Sequence, residues 1–310
     1  SGSRRPNRPP GTSRSTNIAM RLQDNLQRFV FEDAPIRGQI VHLDATYRAV
    51  LERKAYPPAV REVLGELMAA SALLASTLKF EGKLIMQVQG SGPVRLLLAE
   101  CNESGAMRAL AHWRGEVEPA PLDALVGEGK FVITIDPQTS GERYQGIVGL
   151  EGGSLARALE HYFAQSEQLE TRLWLAADRN QAAGMLLQKL PNREGGDADT
   201  WYRAVHLGST LTRVELLSLP VREILRRLYH EDDIRLFDRQ PLSFRCSCSR
   251  ERVEAVLRML GREEIVSILE ERGDIEVDCE FCGARYAFDR VDAAQLFTPP
   301  APADLPTRPQ

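Results

Sequence analysis

Four of the five cysteines stand in two tight pairs toward the C-terminal end, Cys246-Ser247-Cys248 and Cys279-Glu280-Phe281-Cys282, with thirty residues between them. Each pair can present two sulfurs from one turn, and the chain between is long enough for a helical hairpin that brings the turns together. That is the donor set of a tetrahedral thiolate zinc site. The same closeness permits redox chemistry. Once a metal leaves, neighbouring sulfurs can form disulfides wherever the backbone accepts the geometry of the bond. Spacing alone leaves both uses open, a purely structural zinc knob among them.

The elements that must position these sulfurs are legible around them. After Ser243-Phe244-Arg245 and the first pair, Ser249 is placed to cap a helix whose Val253, Val256, Leu257 and Leu260 share one face, and Gly261 breaks it. A second helix carries Ile265, Ile268 and Leu269 and ends near Gly273; a short strand, Ile275 to Val277, then delivers Cys279 and Cys282. Gly283 suits a knuckle turn in which positive φ lets backbone N–H groups face sulfur. Tyr286 and Phe288 alternate as a return strand. A module of about fifty residues with so few large apolar side chains cannot rest on burial alone, whereas structural zinc supplies on the order of 10 to 16 kcal/mol in small peptides. Metal removal is expected to unfold it. Four thiolates leave a zinc ion with net negative charge, which Arg245, Arg250, Arg252 and Arg285 are placed in sequence to offset.

The rest of the chain sets the frame. At 310 residues, 43% hydrophobic and 26% charged, it is long enough for two or more domains and a sizeable core. A net charge of -4 argues against broad nucleic-acid affinity, which needs a concentrated basic surface. The longest apolar run, Leu67 to Leu78, is too short and too rich in serine to span a membrane. With no charged start followed by an apolar signal region, the expected compartment is the cytoplasm, where reducing conditions favour metal-bound thiolates.

Residues 1–20 read as a disordered lead, with Met20 a candidate start. Strands are expected at Leu26 to Glu32 and Ile36 to Leu43. Pro57-Pro58 then opens the longest helix, to about Phe80, apolar along Val60, Val63, Leu64, Leu67, Met68, Leu74 and Leu78 and suited to lie across a sheet. That sheet is expected from Lys83 to Gln89, Val94 to Ala99, Met107 to Trp113 and Phe131 to Ile135, separated by glycine turns. A helix from Ser154 through Phe163, a strand at Thr171 to Ala176 and a segment from Gly184 to Leu190 close this part. Strands in succession indicate an α+β fold.

Pro191 to Thr200 reads as a boundary, and Trp201 to Tyr229 as helical throughout. In its last piece Val221, Ile224, Leu225 and Leu228 share one face, away from Arg222, Arg226 and Arg227. Helices this short hold only against another surface, which makes the segment a candidate for conditional folding. No phosphate loop or nucleophile elbow appears: Gly90 to Gly92 and Gly149 to Ser154 read as turns, and the five histidines are scattered. Cys101 reads as a small buried hydrophobe.

The run Cys-Ser-Cys-Ser-Arg-Glu-Arg (246 to 252) with Cys-Glu-Phe-Cys-Gly (279 to 283) resembles the redox-switch domain of the 33 kDa chaperonin, or heat shock protein 33, family. Gln23 to Glu32, Leu78 to Gly82, Gln89 to Pro93, Gly141 to Gly152 and Tyr162 to Leu169 resemble that family's N-terminal domain. The resemblance implies an ATP-independent holdase that keeps unfolding proteins from aggregating under oxidative stress. It implies one Zn²⁺ on Cys246, Cys248, Cys279 and Cys282 in the reduced form. Oxidation then joins Cys246 to Cys248 and Cys279 to Cys282, releases zinc and unfolds the switch and linker. Unfolded clients are captured in a homodimer and passed to ATP-dependent foldases; neither nucleic acid nor membrane is a partner, and no residue is catalytic.

The expected organisation is α+β: an N-terminal sheet-and-helix core (21–192), a helical metastable linker (193–240), a small four-cysteine zinc redox-switch domain (241–296) and a disordered tail (297–310). A structural zinc-module adaptor or nucleic-acid binder without switching is the rival class. It would want a basic face, whereas Arg245 to Glu280 mixes signs and includes Glu263-Glu264 and Glu270-Glu271. An enzyme of the N-terminal part would need a convergent polar cluster, and no motif provides one.

Overall fold

The computed structural model describes residues 23–77, 82–137, 142–150, 152–191 and 198–297. The expected lead (1–20), nearly all of the tail, residues Leu78 to Phe80, where the longest helix was expected to end, and most of the boundary segment lie outside these residues.

Strands β1 (Asn25–Phe31) and β2 (Ile36–Leu43) open the chain, followed by a short helix, α1 (Ala45–Leu51), that periodicity did not reveal. Helix α2 (Pro58–Ala75) starts at proline, whose missing N–H is no loss in a first turn. It was expected to lie across one sheet. Instead it is buried nearly all round and packs between two, because its alanines and Gly65 let strands approach from both sides. A Cβ on Gly65 would stand 2.6 Å from the Ala177 methyl and 2.9 Å from the Tyr47 ring.

Next come β3 (Gly82–Gly90), β4 (Val94–Asn102), β5 (Ala106–Trp113), α3 (Leu122–Val126), β6 (Gly129–Pro137) and β7 (Tyr144–Val148). Then α4 (Leu155–Gln165), capped by the Ser154 hydroxyl, leads to β8 (Thr171–Ala177) and β9 (Ala182–Lys189). One sheet has the order β8, β9, β2, β1 and then β10 (Ile234–Pro241), all antiparallel. The other runs β7, β6, β3, β4, β5 and finally β11 (Ser243–Phe244), which is parallel to β5. This is the α+β class expected.

The helical stretch is three helices, α5 (Ala198–Gly208), α6 (Arg213–Ser218) and α7 (Val221–Tyr229). They lie on the outer face of the first sheet. Trp201, Leu216, Val221, Ile224, Leu228 and Tyr229 bury against Phe29, Phe31, Ile36, Ile40, Met185 and Leu187 in a core of their own. The strand period of two sends Ile36, Ile40 and His42 to this face and Val41 and Leu43 to the α2 side. A capping box between Thr212 and Glu215 starts α6, and Arg227 of α7 reaches Glu215 at 2.7 Å. Arg213 fastens α6 to the core through Glu62 at 3.0 Å and the carbonyl of Ala177.

The last helix ends at Tyr229, where it was expected to, so the remainder of the segment to 240 is not helix. After a turn at 230–233, Ile234-Arg-Leu-Phe alternates as an edge strand that completes the first sheet. Residues 243–244, expected within the cysteine module, complete the second sheet.

Buried His42 faces the carbonyl of Leu216 at 3.0 Å, and burial holds its pKa down to about 4, the carbonyl contact acting the other way. A base whose pKa falls on folding contributes stability above its unfolded value of 6.5 and loses it as pH falls through the folded value. Acidification from pH 6.5 through 4 should therefore loosen α6 from the sheet, by up to about 3 kcal/mol. The urea midpoint of tryptophan fluorescence against pH measures this, and His42→Gln should flatten the profile across that window.

Candidate metal centre

The sequence around the thiols folds as its caps and glycines direct. The Ser249 hydroxyl accepts from the Arg252 N–H and starts α8 (Arg250–Leu260); Gly261, at φ +89°, ends it and opens α9 (Arg262–Arg272), and Gly273 at φ +88° ends α9. Strands β12 (Ile275–Asp278) and β13 (Arg285–Phe288) pair antiparallel, and Cys279 and Cys282 occupy the turn between them. Gly283 has the expected positive φ, +70°, but its own N–H donates to the Cys279 carbonyl at 2.7 Å rather than to a sulfur. A further helix, α10 (Arg290–Leu296), was not expected. It is started by an Asp289–Asp292 capping box and closes the core of Leu257, Ile265, Leu269, Ile275, Phe288, Ala293 and Leu296.

That core is small. Val256 and Leu260, expected on the packed face of α8, are 54% and 53% exposed, because α9 and α10 cover only the line through Leu257. Burial is a weak support here, as the composition implied.

All four sulfurs come together within 4.8 Å of one another. Cys246 Sγ lies 3.6 Å from Cys279 Sγ, and Cys248 Sγ 3.3 Å from Cys282 Sγ, so close contacts run across the two pairs. A tetrahedron with metal–sulfur bonds of about 2.3 Å has sulfur–sulfur edges near ~3.8 Å, so the donor set fits such an ion in type, number and span. Among the described residues this is the group of Cys, His, Asp and Glu side chains able to hold a metal. Cys101 is buried on β4, apart from the cluster, with burial pushing its thiol up to about 12.

The sulfurs are not equivalent. Burial opposes ionisation of Cys248, but the Tyr286 hydroxyl at 3.1 Å and the neighbouring thiols outweigh it and bring the group down to about 7. Burial pushes Cys282 up to about 12 and raises Cys279. A dication would offset that cost and hold all four as thiolates.

The expected arginines do other work. Arg285 pairs with Asp278 and Glu276, and Arg250 pairs with Asp292 while covering the Phe288 ring at 4.2 Å. Arg252 donates to the Ser247 carbonyl, and the Arg245 N–H extends β11 by donating to the Met107 carbonyl. Among the described residues, the guanidinium that reaches a cysteine sulfur is that of Arg108 on β5, 3.7 Å from Cys246 Sγ. It also stacks over Phe281 at 4.0 Å, and nearby His112 meets Glu280 at 3.1 Å. Nothing in local sequence marks Arg108, which is 138 residues from Cys246.

Comparison with known proteins places this arrangement. The family described as Hsp33 protein matches residues 24–289. The 33 kDa chaperonin of Methylobacillus flagellatus is 50% identical over 281 residues, covering 90% of this chain and 96% of the relative. That of Nitrosococcus oceani is 52% identical over 280 residues, with the same coverage. The crystal structure of the 33 kDa chaperonin (heat shock protein 33 homolog) of Thermotoga maritima shares the fold, with TM-score 0.75 at 21% identity over 88% of this chain and 98% of that one. The matching family and the relatives of this chain are 33 kDa chaperonins, a class of chaperones and not of enzymes. The chain belongs to the Hsp33 family. No helix among the described residues is long and apolar enough to cross a membrane.

The knuckle yields a direct test. A Cβ at position 283 meets no neighbour within 4 Å, so Gly283→Ala would be penalised by backbone conformation alone. At this positive φ the penalty is about 1 to 2 kcal/mol. Metal retention against a chromogenic chelator should fall roughly tenfold, and Gly283→Asn, which tolerates the conformation, should fall less.

Proposed function

We propose that this chaperone is a redox-regulated holdase, with Zn²⁺ on Cys246, Cys248, Cys279 and Cys282 as the closed latch. The convergence of four sulfurs in a module with little core of its own carries this proposal. Zinc, when bound, supplies the folding free energy that the seven-residue core does not. The chain leads backward from Cys246 through β11 and β10 into α7, so a folded module tethers the end of the helical cover.

A peroxide-class oxidant would take two electrons from each pair and be reduced to water or alcohol, joining Cys246 to Cys248 and Cys279 to Cys282, and sulfurs so paired would no longer hold the metal. The division into core (21–192), linker (193–240) and switch (241–296) describes the parts that act. The moving cover within the linker is α5 to α7, whose release would bare the apolar face built by Phe29, Phe31, Ile36, Ile40, Met185 and Leu187. An area of that kind suits exposed apolar segments of unfolding clients. Capture in a cytoplasmic homodimer, with transfer to ATP-dependent foldases, completes the proposal.

The test is to measure zinc content, free thiols and suppression of a heated client's aggregation before and after peroxide with mild warming. One zinc and four reactive thiols should disappear as holdase activity rises. If the zinc and thiols persist, or vanish without changing holdase activity, the switch is refuted. Cys279→Ser or Cys282→Ser should weaken zinc retention and give holdase activity without oxidant.

A further inference from the structure

A cavity of about 420 Å³ lies where the segment joining α1 to α2, the first turn of α2 and the turn between β8 and β9 come together. None of the sulfur chemistry uses it. Its charged lining is Arg48, Lys54, Arg61 and Arg179 against a single carboxylate, Glu52. This concentration of cations stands on a chain whose net charge is -4.

The acids nearest in sequence are engaged elsewhere. Asp44 takes the Arg48 Nε at 2.7 Å, Glu62 takes Arg213 at 3.0 Å, and Asp178 accepts the Asn180 and Gln181 N–H groups of its own turn. Lys54 rests its ammonium over the Trp113 ring at 4.6 Å, a contact that leaves its charge in place. Arg61 lines the cavity while its Nε is buried and bonds to nothing. Among the described residues no carboxylate pairs with Lys54, Arg61 or Arg179. Helix polarity explains only part of this array. Arg48 and Lys54 stand at the C-terminal end of α1, where a cation answers the helix dipole, but Arg61 lies in the first turn of α2, the end that disfavours one. Holding an unpaired, part-buried guanidinium beside other cations raises the free energy of the folded chain, and an anion in the cavity reverses that cost.

We propose that this cavity is a binding site for a small phosphate-class polyanion, held by Lys54, Arg61 and Arg179. Arginine's planar fork meets phosphoryl oxygens in pairs, and lysine adds a point charge. Glu52 repels any anion that enters, so the ligand must carry more than one charge to engage the three cations against it. The site belongs to the core and not to the cysteine module, and it stands independently of the zinc reading.

The probe is inorganic pyrophosphate, titrated by calorimetry into the reduced full chain at fixed ionic strength, with sulfate titrated in parallel. Pyrophosphate should saturate at one per chain and bind at least about tenfold more tightly than sulfate, which carries fewer charges. Lys54→Glu and Arg179→Glu, both at exposed positions, should each weaken pyrophosphate binding about tenfold. Arg222→Glu, the same charge reversal at an exposed position on α7, should weaken it less than about twofold, because it acts only through the screened field of the whole chain. Pyrophosphate also chelates zinc, but the cysteines are the same in all four chains, so that heat is common to them and subtracts. Trp113 gives a second readout. Its fluorescence should change as pyrophosphate draws on the ammonium above its ring, and the change should vanish in Lys54→Glu.

Absence of saturable binding would overturn the proposal. A loss in Arg222→Glu as large as in the cavity variants would overturn it too, since the attraction would then be to general charge. Sulfate binding as tight as pyrophosphate would reduce the cavity to an adventitious ion only and refute the phosphate class. Should Lys54→Glu fail to fold, Arg179→Glu, in the turn after β8, carries the same comparison.

Discussion

Four sulfurs within 4.8 Å of one another are the constraint on which the rest of this structure depends. Desolvation of a thiolate and repulsion among thiolates both oppose such a cluster, and burial pushes Cys279 and Cys282 toward the neutral form. A soft dication reverses the sign of that balance. The core of the same module has seven buried residues, three apolar side chains of α8 (Val256, Met259 and Leu260) are more than half exposed, and glycines end both α8 and α9. A module with so small a core and four converging sulfurs is one whose stability a bound metal would set.

The second dependence is geometric. Helices α5 to α7 are short and gain their order from the sheet face beneath them. They are fastened by contacts that are individually modest: a capping box, the Arg213 and Arg227 ion pairs, and a buried neutral His42 against a carbonyl. Below them lies a strip of large apolar side chains on three strands. The core around α2 is different in kind, since that helix is enclosed between two sheets. The three buried clusters thus differ in extent, largest around α2, smaller beneath α5 to α7 and smallest in the cysteine module.

The cysteine module was the most legible part of the sequence, because its determinants are local. Ser249, Gly261, Gly273 and Gly283 set caps and turns within a few residues of themselves, and the two thiol pairs need only a hairpin to meet. Most core strands were legible for the same reason: alternation within Ile36 to Leu43 or Lys83 to Gln89 depends on nothing distant. The faces of short helices were harder. Val253, Val256, Leu257 and Leu260 share a stripe by period, yet only the part that α9 and α10 reach is covered. Residues 234–244 read as an end of the helical linker and a start of the module because an edge strand declares itself only through its partners, here β1 and β5.

By itself, then, the sequence determined the chemistry of the site: four soft ligands in two turns, an acidic chain without a catalytic motif, and short amphipathic helices placed just before the thiols. Only the tertiary structure decided what those thiols touch. It brought Arg108 and Glu100 from adjacent strands to Cys246 across 138 residues, while the arginines nearest in sequence turned to Asp278, Asp292 and Ser247 instead. The physical reason is that a turn or a cap is closed by neighbours along the chain, whereas a guanidinium settles where carboxylate, ring and sulfur converge in space, and sheet register fixes that point.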